Sequence, residues 1–141
     1  TLEVTLFPYT TLFRSSYDDR KESAYVGIYN GIVSEQSFPH IMPQENGNKT
    51  DNRWLEIYDD FGSGIRITGK PFFNFNIQNY SDKDLNRSKK AHTLIRGEKN
   101  WLHIDYKQMG LGGDDSWSPR VHKEFLLKNK VYHYTYAIEP L

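Results

Sequence analysis

Apolar residues that recur at every second position, and hardly anywhere at helical spacing, constrain this chain more than any other feature. Phe73, Phe75 and Ile77 alternate with Asn74, Asn76 and Gln78. Tyr132, Tyr134, Tyr136 and Ile138 repeat the pattern within Val131–Ile138, as do Leu102, Ile104 and Tyr106. A period of two puts such residues on one face of an extended backbone, so these segments read as β-strands. Trp54–Tyr58 and Ile65–Thr68 flank Asp59-Asp60-Phe61-Gly62-Ser63-Gly64, whose aspartates and glycines mark the connection of a hairpin. Only residues 81–90 read as helix. Ser81 suits an N-cap, Asp82 and Asp84 the first turn, and Arg87, Lys89 and Lys90 the end, in keeping with the helix dipole. The pattern predicts an all-β chain, an antiparallel β-sandwich with one short helix near 81–90.

The rest of the sequence removes several functions. With 141 residues the chain suits one domain, and its zero net charge, without a Lys/Arg run, argues against nucleic acid as a partner. No apolar stretch approaches the roughly 20 residues of a membrane helix. There is no cysteine, hence no disulfide framework or thiolate metal site. That fits a bacterial cytoplasm and equally a periplasm. Ten tyrosines in a hydrophilic chain point to a core built from rings with polar tips, as in many carbohydrate binders.

The segment with the most chemical content is Gly110-Leu111-Gly112-Gly113-Asp114-Asp115-Ser116-Trp117-Ser118-Pro119. Its glycines free the backbone, its carboxylates can brace a turn, and Ser-Pro ends it, so it reads as a loop that carries an indole. Gly112, Gly113, Asp114 and Asp115 are the expected bracing residues. Trp117 is the expected contact, because the apolar face of a pyranose stacks on an indole. Core packing of Trp117 is the bland alternative. Retaining glycoside hydrolysis needs two carboxyl groups about 5–5.5 Å apart. Asp18-Asp19, Asp59-Asp60 and Asp114-Asp115 are poor candidates, since neighbours on a strand point to opposite faces. His40, His92, His103, His122 and His133 lack the spacing of a zinc site, so no metal ligand is expected. Gly110–Gly113 lacks the Lys-Ser/Thr ending of a phosphate loop. The turn at Asp59–Gly64 resembles a calcium loop less than an ordinary turn.

The Gly-Gly-Asp-Asp-Ser-Trp-Ser-Pro run, with Trp101-Leu102-His103-Ile104-Asp105 and Met109-Gly110 before it, closely resembles the C-terminal domain of glycoside hydrolase family 2 β-galactosidases. Pro43-Gln44-Glu45-Asn46-Gly47, Phe73–Ile77, Tyr80-Ser81 and Tyr132-His133-Tyr134 support the likeness, which runs from about Tyr17 to the end. The resemblance implies the C-terminal half of a large, galactose-mutarotase-like sandwich. It implies a parent that hydrolyses terminal β-D-galactose from substrates such as lactose, with Trp117 as one wall of the pocket. The catalytic glutamates, and the Mg²⁺ and Na⁺ the family uses, would lie in a barrel domain or large subunit. No catalytic residue and no cofactor are therefore expected here, and the parent is expected to be oligomeric. A free-standing carbohydrate-binding module is the alternative. Thr5–Ser15 matches, codon for codon, the translation of a common sequencing-library adapter. Residues 1–15 are thus expected to be a non-native leader, and 16–141 the domain.

Overall fold

The computed structural model describes residues 16–20, 25–38, 40–129 and 131–141, and residues 3–6 and 9–10 by their backbone. The chain is all-β and antiparallel, as its alternation requires. Among the described residues eight strands join in one sheet: β1 (Glu3–Leu6), β2 (Tyr9–Thr10), β3 (Tyr25–Val26), β4 (Tyr29–Ile32), β5 (Lys49–Tyr58), β6 (Gly64–Gln78), β7 (Trp101–Asp105) and β8 (Thr135–Pro140). Of the adapter-like run, β1 pairs with β4 and β5, and β2 with β3 and β5. The other residues of that run lie outside those described.

The two layers expected of a sandwich are continuous, because β5 and β6 run through both. The early part of β6 pairs with β8 at Ile65–Lys70, and its late part pairs with β7 at Asn74–Gln78. Between the pairs Asn52↔Phe73 and Trp54↔Thr68, residues 69–72 of β6 stand opposite Arg53 alone. An irregularity of that size bends the strand pair and creases the sheet. Gly69 is needed inside it, where an added Cβ would sit 2.5 Å from the Phe73 ring. The crease folds both parts over one core of Val33, Leu55, Ile57, Ile67, Phe73, Phe75 and Ile77.

The hairpin expected at Asp59–Gly64 joins β5 to β6. Asp59 Oδ1 accepts from the backbone N–H of Phe61 and Ser63 at 2.9 and 3.0 Å, which explains an acidic residue there without any cation. The one α-helix among the described residues, α1 (Asp82–Arg87), is capped at Ser81 by a reciprocal capping box with Asp84. One expectation needs correction: the strand read from Val131 begins at Thr135 instead. In β6 the polar residues Asn74, Asn76 and Gln78 are as buried as the apolar residues beside them.

Candidate functional site

The loop after β7 takes its shape from glycines and carboxylates. Gly110 N donates to Phe125 O at 3.1 Å, which closes the base. Gly112 (φ 67°) and Gly113 (φ 77°) follow in the left-handed region, where side chains are disfavoured. A Cβ on Gly112 would meet the backbone oxygens of Arg120 and Pro119 at 2.4 and 2.6 Å, whereas one on Gly113 would meet nothing within 4 Å. We expect Gly112→Val to destabilise the loop by clearly more than Gly113→Ala, which should cost about 1–2 kcal/mol. Urea unfolding of the two variants checks this order.

Asp115 holds the next turn. Its Oδ1 accepts from Trp117 N at 2.8 Å and from Ser118 N at 2.6 Å, and these two N–H groups pull its carboxyl below the usual range. Asp114 faces the other way. One of its oxygens meets His122 Nε2, and the other lies 3.6 Å from Arg20 Nη2. The Asp114 hydrogen bond and charge raise the pKa of His122. Trp117 itself is 92% exposed and packs into no core of this chain. Its backbone is fixed while its ring stands in solvent.

The sequence did not reveal that the loop is gripped by a segment far away in the chain. Ser16 and Tyr17 are buried against the start of β5. Ser16 O accepts from Asn48 Nδ2 and Thr50 Oγ1, both at 2.8 Å, and Tyr17 OH donates to Glu45 Oε2 at 3.3 Å. The turn that follows brings Asp19 Oδ2 to Gly112 N at 2.7 Å, across 93 residues of sequence. Arg20 Nη2 donates to Gly112 O. In sequence Asp18-Asp19 reads only as a carboxylate pair, and nothing in its spacing signals a partner so distant.

The remaining candidates are dispersed. His103 lies 3.6 Å from Asp82, and His40 packs edge-on against Phe38. Among the described residues no three His, Cys, Asp or Glu side chains converge on a cation position. Nor is any helix among them long and apolar enough to cross a membrane. Tyr132, Tyr106, Tyr134 and Tyr136 form a chain of rings with centroids 5.6–5.8 Å apart, and Tyr134 OH is tied to Ile104 O at 2.9 Å. The strand that feeds the loop is thereby joined to the approach to β8.

The family described as beta galactosidase small chain matches residues 14–138. A protein of Priestia megaterium named beta-galactosidase is 39% identical over 127 residues, covering 89% of this chain and 12% of that protein. Another of the same name from Vibrio cholerae is 40% identical over 119 residues, covering 84% of this chain and 11% of its own length. A third, from Streptococcus thermophilus, is 34% identical over 128 residues, covering 89% of this chain and 12% of its own length. The chain thus spans about an eighth of the length of these relatives.

Proposed function

We propose, from the premise that this chain belongs to the beta galactosidase small chain family, that it supplies one wall of a galactoside pocket through Trp117. The observation that carries this reading is an indole 92% exposed on a backbone pinned by Asp115. A solvated indole on a fixed frame offers a flat apolar platform, and the apolar face of galactose has the size and chemistry to stack on it. The reaction of the parent is hydrolysis of terminal β-D-galactose from β-galactosides such as lactose. Its two carboxyl groups come from the catalytic barrel domain or large subunit that this chain abuts. Here the wall contributes affinity and orientation, while bond breaking belongs to the carboxylates opposite. Among the described residues no acidic side chains converge on a cation position, and the proposal leaves Mg²⁺ and Na⁺ to the catalytic part. Asp114, Asp115, Gly112 and Gly113 serve the wall by holding its loop.

The test is a chimaera of the Priestia megaterium beta-galactosidase carrying residues 16–138 of this chain in place of its own matching segment. Trp117→Ala should raise KM for lactose about tenfold, the effect of losing an aromatic platform worth about 1–2 kcal/mol. An active chimaera whose KM ignores the substitution would reduce this chain to a scaffold. A chimaera without activity, beside an isolated chain that binds galactose, would favour the free-standing module.

A further inference from the structure

We infer that Asp19 and Arg20 are positioning residues, which set the pose of Trp117 by gripping both sides of Gly112. This rests on Trp117 being the pocket wall and adds the device that holds it there. Asp19 Oδ2 accepts from Gly112 N at 2.7 Å, while Arg20 Nη2 donates to Gly112 O. Holding the donor and the acceptor of a single residue fixes its orientation as well as its place. One hydrogen bond would leave a rotation free. Gly112 is the residue that permits so close an approach, since its φ of 67° and the backbone oxygens of Pro119 and Arg120 leave no room for a side chain.

The grip is rigid at both ends. The Asp19 side chain is only 2% exposed, and Arg20 Nη1 lies 3.7 Å from its Oδ2 and 2.9 Å from its backbone oxygen. Burial raises the pKa of Asp19, but the N–H groups of Gly112 and Leu111 and the charge of Arg20 outweigh it and keep the carboxyl ionised. Behind it, Arg20 N donates to Tyr17 O at 2.8 Å, and Ser16 is tied to Thr50 of β5 and to Asn48 just before it. Ahead of it, Arg20 also reaches Asp114, next to the Asp115 that holds Trp117 N. Hydrogen bonds, the Arg20–Asp114 ion pair and the short run of chain to Asp115 therefore link the sheet to the backbone that carries the indole. Errors at its start are passed on to a ring that must meet substrate within a fraction of an ångström.

The chimaera described above tests this with Asp19→Ala, Arg20→Ala, and each combined with Trp117→Ala. Each single variant should raise KM for lactose about tenfold, with a much smaller change in kcat. Added to Trp117→Ala it should change KM no further, because the pose of an absent ring is irrelevant. Asp19→Asn keeps an acceptor for Gly112 N and should recover most of the loss. Faster amide exchange at Gly112 in Asp19→Ala reports that the grip has been released. A KM near that of the unsubstituted chimaera despite released Gly112 would overturn the inference, as would an equal loss with and without the indole. Should Trp117→Ala alone leave KM unchanged, the wall reading fails, whatever Asp19 does. If the alanine variants do not fold, Arg20→Lys, which lacks the forked reach of the guanidinium to Gly112 O and Asp114, carries the comparison, and a flat KM with it overturns the inference.

Discussion

Lys49→Met should remove a steep dependence of the chain's stability on pH between 7 and 10. Lys49 is 3% exposed, at the start of β5. Its ammonium donates to Gly47 O at 2.6 Å and lies 5.6 Å above the Phe75 ring. Burial pulls its pKa down to about 7, and the charge of Glu45 only partly opposes this. An unfolded lysine holds its proton until about pH 10.4. Between those values the unfolded chain binds more protons than the folded one, so stability rises with pH, by up to roughly 1 kcal/mol per unit. Below pH 7 both states are protonated and the penalty is constant. Above pH 10 tyrosines in the unfolded chain ionise, while burial and Glu45 keep the pKa of Tyr17 raised, which reverses the gain. Methionine fills the space of the lysine stem without its charge. Urea unfolding at pH 7, 8, 9 and 10 should show the wild type converging on, or overtaking, a variant whose stability stays flat. Parallel profiles would mean that Lys49 reaches water in the folded chain.

The second large effect is expected at Phe73→Ala, which should cost about 3–5 kcal/mol. Phe73 is fully buried where β6 resumes pairing after the crease, with its ring 6.4 Å from that of Phe75. Its carbonyl accepts from Asn52 Nδ2 at 3.0 Å, so the backbone stays anchored and the cavity cannot easily collapse. Domains of this size are stable by about 5–15 kcal/mol, so the loss is a large share of the whole. Phe73→Leu, which refills most of the volume, should cost much less. A urea midpoint for Phe73→Ala close to that of Phe73→Leu would show that the ring does not join the two parts of the sheet.

These two positions also mark how far the sequence could be read. The alternation of Phe73, Phe75 and Ile77 identifies a strand and its apolar face, because both follow from local geometry. It does not show that the opposite face is covered. Asn76 is buried because its Nδ2 donates to Glu45 Oε1 at 2.6 Å and to Asn46 O at 2.8 Å, partners supplied by a loop some thirty residues earlier. Lys49 is hidden for a similar reason, since nothing in Asn48-Lys49-Thr50 distinguishes a buried lysine from a solvated one. At the site, glycines and aspartates identify a loop, and Asp115 reaches no farther than Ser118, within the range of a local pattern. The grip of Asp19 and Arg20 on Gly112 spans more than ninety residues of sequence and leaves no periodic trace.

The division of β6 between two partners has a kinetic consequence. Its pairings with β5 and β7 close comparatively short stretches of chain. The pairing of Ile65–Lys70 with β8 closes the longest loop made by this strand, and contacts so far apart in sequence are slow to form. The hairpin of β5 and β6 can zip early, but one flank of it stays bare until Thr135–Pro140 arrives. During that interval the bare flank offers unpaired N–H and C=O groups to any extended segment nearby, including β8 of another copy. Arrival of β8 is thus both the late event of folding and the step at which concentrated chains exchange strands.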